Sequence, residues 1–182
     1  MNEQQRGESK ATTAASLLPH FGSYNDDPPA GLSTYEAAIH YESELTEFER
    51  NELVDFNRIY TVGSVRVHSL KSCQEEDGFY KVKTGEQIGY RYLVDSQIDA
   101  GAFGSVCKCV DMTNGDFVAV KLSRSESKQK SSAENEGRIL TKISQRNGDQ
   151  QGCVRMIDQF TFRKCHVIVF EMLDINLYRF IK

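Results

Sequence analysis

The chain has 182 residues, 39% of them hydrophobic, and a net charge of −4. That length suits about one domain. No apolar run approaches the ~18 residues a membrane span needs, and polar residues 1–10 lack the apolar core of a secretory signal, so the expectation is a soluble, unexported chain. Glu3 and Glu8 among the few early basic residues fit a mitochondrial transit peptide poorly. The five cysteines (Cys73, Cys107, Cys109, Cys153, Cys165) are an odd number without an export signal, which points to reduced thiols in the cytoplasm or nucleus. Cys107 and Cys109 share one strand face but lack a second ligand pair, so buried structural thiols are expected rather than a metal site. Between residues 26 and 55, nine acids face a single base, Arg50; this −8 leaves +4 for the remainder. Overall acidity argues against a nucleic-acid binder, and the basic stretch at residues 121–130 reads as a solvated loop.

Along the chain, residues 1–32 are polar, hold all three prolines (Pro19, Pro28, Pro29) and carry few large apolar groups, so they read as a disordered tail. Ser33 with Glu36, and Thr46 with Glu49, have the spacing of capping boxes, which predicts two short helices. Residues 57–67 are rich in β-branched and aromatic side chains and read as extended; residues 71–78 read as a polar loop. Strands are predicted over 90–98, 103–111 and 117–121, with Asn114-Gly115 turning the last pair. Ser131 and Glu134 open a predicted helix running to about Ser144, with Ile139, Leu140 and Ile143 as its buried stripe and Gly137 costing it ~1 kcal/mol relative to alanine. Two further strands, over 153–161 and 165–170, and a helix from Asn176 complete the order.

Chemistry concentrates in the second half. Ala100-Gly101-Ala102-Phe103-Gly104-Ser105-Val106 is a glycine turn between two strands. A dinucleotide fold needs a helix directly after such a turn, and here a strand and a hairpin follow. Val118-Ala119-Val120-Lys121 sets a lysine near a strand end, Glu136 lies on the next helix with Glu134 as a rival partner, and Phe170-Glu171-Met172-Leu173 runs out of the last strand. Singly, each is an ordinary surface feature. Together they resemble the N-terminal lobe of a eukaryotic protein kinase. Residues 45–53 and 59–63, then Phe79-Tyr80, Gly89-Tyr90-Arg91-Tyr92, Phe160-Thr161-Phe162-Arg163 and Asn176-Leu177-Tyr178, are similar to the upstream accessory box and kinase entry of the dual-specificity tyrosine-regulated kinases.

The resemblance implies an α+β fold: a kinase N-lobe of five antiparallel strands and one main helix over residues 79–182, behind a helical and extended accessory box at 33–78. It implies ATP as cofactor, with Lys121 on the phosphates and Glu136 holding Lys121 as the catalytic pair. Gly101 and Gly104 would let backbone amides approach the phosphates, Val106 and Ala119 would roof the adenine, Phe170 would be the gatekeeper, Leu173 the hinge contact and Asn176 a lip residue by the ribose, with Ile98, Phe103 and Glu171 also counted among the cofactor-binding residues. The family phosphorylates Ser and Thr on protein substrates and its own activation-loop Tyr, and the box is implied to assist that maturation.

Three departures stand out. Asp99 replaces the first glycine of the loop, where its charge would repel phosphate. Gly137 stands where an apolar residue is expected beside the helix glutamate. No His-Arg-Asp or Asp-Phe-Gly motif occurs, so the 182 residues lack the substrate base and the Mg2+-holding side chains and are expected not to transfer phosphate themselves. The competing expectations are the front piece of a longer kinase and a non-catalytic module that binds regulatory proteins; a bare nucleotide-binding module would lack a floor for adenine. The chain ending at Lys182 inside a predicted helix favours the first.

Overall fold

Both capping boxes form. Ser33 and Thr46 each accept from the amide three residues on, while Glu36 and Glu49 reach back to the cap amides. They start α1 (Thr34–His40) and α2 (Glu47–Glu52). The computed structural model describes residues 30–101, 104–125, 127–146 and 152–174. Most of the expected tail and the helix from Asn176 lie outside these, but Leu32 already exchanges both backbone hydrogen bonds with Ile59.

Residues 57–67 make no regular strand beyond that bridge. Their β-branched side chains serve packing instead: Ile59 and Val62 join Ala37, Leu45, Leu53 and Tyr90 in a small core, and Val67 enters the main one. Leu70–Cys73 is a short 3-10 turn where a loop was expected.

The rest is one antiparallel sheet in the order β1-β2-β3-β4-β6-β5. Its strands are β1 (Gln87–Ile88), β2 (Tyr92–Gly101), β3 (Gly104–Asp111), β4 (Phe117–Ser123), β5 (Met156–Phe162) and β6 (Cys165–Glu171). The expected five strands become six because two residues ahead of β2 pair with its start. The predicted α+β class holds. Period-two alternation splits the sheet into two faces. On one face Cys107, Cys109, Val118, Val120, Leu122, Val167 and Val169 pack against Val67, Cys73 and Tyr80, with Phe48, Phe56 and Leu70 alongside. The accessory segment and the sheet thus share one hydrophobic core. The Cys107 and Cys109 sulfurs sit 3.7 Å apart inside it.

On the other face lies α3 (Ser127–Arg146), packed over β4, β5 and β6. It starts a turn ahead of the expected cap, through Lys128, Gln129 and Lys130, all good helix formers. Its buried stripe also differs: Ala133 and Gly137 are buried, Leu140 and Ile143 half-buried, and Ile139 is 58% exposed. The stripe shifts because the helix presents its smallest residues to the sheet and so lies close to it.

Candidate functional site

The antiparallel register aligns Val106 with Lys121 and Lys121 with Ile168, and in the next row Lys108 with Ala119 and Ala119 with Phe170. All point to the α3 side of the sheet. Val106, Ala119, Lys121 and Phe170 are half-buried, so α3 leaves this part of the face open.

Lys121 Nζ donates to both Glu136 oxygens at 2.8 Å. The two side chains are 24% and 39% exposed, a geometry that orients the ammonium and leaves it reachable from solvent. Glu134, the rival partner, is exposed and takes no part in this pair. The expected lysine–glutamate pair therefore forms across 15 residues of sequence.

The glycine turn sits at the end of the same face. Gly104 has φ +139°, and a Cβ there would lie 2.0 Å from the Leu122 carbonyl oxygen, so only glycine lets β3 start this close to β4. A Cβ on Gly101 would meet nothing within 4 Å among the described residues other than its chain neighbours, so the end of β2 is uncovered on that side. Asp99 Oδ1 accepts from the Ala100 amide at 2.9 Å, which ties part of its charge into the turn. Ile98 falls where the β2–β3 register slips between Gln97 and Asp99 and is 49% exposed. Phe103 and Asn176 lie outside the described residues. Leu173 is 57% exposed at the end of β6. The Glu171 carboxylate accepts from the Arg155 amide at 2.8 Å and pairs with its guanidinium at 3.7 Å, and the Glu171 amide donates to the Arg155 carbonyl at 3.0 Å, so both side chain and amide serve the β5–β6 end.

These residues fit a nucleotide. The uncovered end of β2 and the anchored ammonium would hold phosphates, and half-buried Val106, Ala119 and Phe170 offer apolar area for a flat base.

Sequence reasoning missed a buried ionic cluster behind the sheet. Arg163 and Lys164 take left-handed φ of 47° and 67° in the two-residue turn between Phe162 and Cys165. The Arg163 side chain is fully buried, donating to Glu52 at 2.9 Å and to Glu86 and the Tyr80 hydroxyl at 2.9 Å each, with Glu49 at 3.8 Å. Tyr80 donates to Glu86 at 2.6 Å, and Tyr90 to Glu52 at 2.8 Å. Burial pushes the Glu86 carboxyl above the usual range, and the Tyr80 hydrogen bond and Arg163 reverse this only in part. Arg163 thereby links α2 of the accessory segment to the β5–β6 hairpin. Glu49, Glu52, Tyr80, Tyr90 and Arg163 each lay in a motif matched by resemblance, but no spacing in the sequence signalled that they meet.

No family model matches the chain. Among curated proteins it is 34% identical over 164 residues to the dual specificity tyrosine-phosphorylation-regulated kinase mbk-2 of Caenorhabditis elegans, covering 84% of this chain and 20% of that protein. It is 32% identical over 160 residues to the human dual specificity tyrosine-phosphorylation-regulated kinase 4, covering 83% and 31%, and 35% identical over 149 residues to the DYRK-family kinase pom1 of Schizosaccharomyces pombe, covering 76% and 14%. The chain thus spans about a fifth of the length of the first curated relatives it matches. Similarity at this level across most of the chain, on a sheet whose lysine is held by the next helix's glutamate, places it in the dual-specificity tyrosine-regulated kinase family of protein kinases, as part of its N-terminal kinase region.

Proposed function

We propose that this chain is the nucleotide-binding N-lobe, with its accessory box, of a protein kinase that uses ATP and Mg2+ to phosphorylate Ser and Thr of protein substrates and its own Tyr. The observation that carries this reading is the Lys121–Glu136 pair on the strand next to the one that Gly104 begins. Lys121 would meet the nonbridging oxygens of ATP, Gly101 and Gly104 would admit backbone amides to them, and Val106, Ala119 and Phe170 would take the adenine. Bound ATP would supply the transferable phosphoryl group. The 182 residues contain neither a His-Arg-Asp nor an Asp-Phe-Gly motif, so they bind nucleotide weakly and transfer nothing by themselves. The free, mostly buried thiols support a reducing setting, cytoplasm or nucleus.

Calorimetry with Mg-ATP tests the site: weak binding by the native chain, reduced further by Lys121→Met, supports it, and equal binding by the two removes Lys121 from the site. In a kinase that continues beyond Lys182, Lys121→Met abolishes turnover; unchanged turnover refutes the assigned role. Exposed Ile139 and Leu173 favour a second reading, a non-catalytic module that docks a regulatory protein. Transcript sequence beyond Lys182 separates the two: both missing motifs in frame support the kinase, and a stop codon supports the module.

A further inference from the structure

Gly137 follows Glu136 directly on α3 and is buried. A Cβ added to it would lie 2.0 Å from Gln159 Oε1 and 3.2 Å from both Gln159 Cδ and His166 Nε2. The helix therefore sits closer to β5 than a side chain at this position allows. Gln159 fills the contact: its amide donates to Thr141 Oγ1 at 3.1 Å, and the Thr141 hydroxyl donates to the Gly137 carbonyl at 2.9 Å. A hydrogen-bonded chain thus runs from β5 up to the helix backbone one residue past Glu136.

The register puts this seat and the ion pair on one line. Gln159 pairs with Ile168, and Ile168 pairs with Lys121. Two strand spacings separate the ends of that row, about 10 Å. Consecutive helix residues are fixed to the two ends: Glu136 to Lys121, and Gly137 to Gln159.

We infer that Gln159, admitted by Gly137, is a positioning residue that sets the height of α3 above the sheet and so holds Glu136 against Lys121. The inference deepens the nucleotide-site reading, on which its functional consequence rests, but the geometry it concerns belongs to the chain alone. Lifting α3 by about 1 Å carries the 2.8 Å contacts past hydrogen-bond range. An alanine at 137 either lifts the helix or drives Gln159 off Thr141.

The test measures acylation of Lys121 by a water-soluble N-hydroxysuccinimide ester in the full 182-residue chain, site by site by peptide mass spectrometry. Glu136→Gln sets the rate of an unanchored Lys121. Gly137→Ala should raise the Lys121 rate several-fold toward that value, and Gln159→Ala, which removes the seat and its bond to Thr141, should raise it as well. Lys108, which lies over the Phe117 ring, should keep its native rate throughout. An unchanged Lys121 rate in Gly137→Ala or in Glu136→Gln overturns the inference. So does a native Lys121 rate in Gln159→Ala, or a parallel rise at Lys108, which would assign Gly137 to the fold as a whole. Failure of Mg-ATP to bind would refute the nucleotide reading and leave this acylation pattern in place.

Discussion

Arg163→Met removes the one cation from the buried cluster while keeping roughly the side chain's apolar volume. Glu49 and Glu86 are 2% exposed and the Glu52 side chain 10%, so water cannot take over the guanidinium's role. Breaking a buried ion pair from one side costs about 3–5 kcal/mol, because the remaining charge stays desolvated and unpaired. The Tyr80 hydroxyl also loses the donor it accepts from, while its own bond to Glu86 remains. Glu86 relieves part of the penalty by holding a proton, since burial already pushes its carboxyl up, so the lower end of the range applies at acid pH and the upper end near neutrality. Against a typical total of about 5–15 kcal/mol this is a large share, and it corresponds to a drop in Tm of roughly 6–20 °C for a chain of this size. Urea unfolding followed by circular dichroism at pH 5 and pH 8 measures both the loss and its pH dependence. A loss below about 1 kcal/mol at pH 8, within the range of an exposed pair, would refute the account of Arg163 as the cluster's counter-charge.

Two further outcomes follow from neighbouring groups. Glu86 has a folded-state pKa raised above its unfolded value, so its contribution is full below the unfolded value near 4.3 and is lost as pH rises through the raised one; Glu86→Gln, which keeps an oxygen for Tyr80 and Arg163, should therefore gain stability relative to native between pH 5 and pH 8, and a gap that stays constant or narrows over that range contradicts the assignment. Thr46→Ala removes the acceptor for the Glu49 amide and a hydroxyl bond to the Val67 carbonyl; a loss of about 1–2 kcal/mol in urea unfolding is expected, and an unchanged midpoint would mean that α2 does not depend on its cap.

What could be read in advance was local or was carried by several motifs at once. Each capping box needs two side chains three residues apart, and both formed where the spacing put them. The hairpin expected at Asn114-Gly115 joins β3 to β4, through the longer connection 112–116 in which Gly115 alone takes a left-handed φ of +81°. Lys121 and Glu136 were picked as a pair because one strand and one helix, consecutive in sequence, bring them together. The buried face of α3 was misread because periodicity ranks residues by hydrophobicity, whereas this helix meets the sheet through Ala133 and Gly137, leaving Ile139 outside.

The sequence by itself determined the two capped helices, five of the six strands and the identity of the paired lysine and glutamate, because each follows from contacts between neighbours in the chain or from motifs in a fixed order. Only the tertiary structure decided that Arg163 would be buried against Glu52, 111 residues away, and that a glycine taken for a weak point in α3 would be the place where Gln159 seats the helix. Side chains distant in sequence meet only through the packed sheet, and the close approach at Gly137 exists only once the helix lies on it.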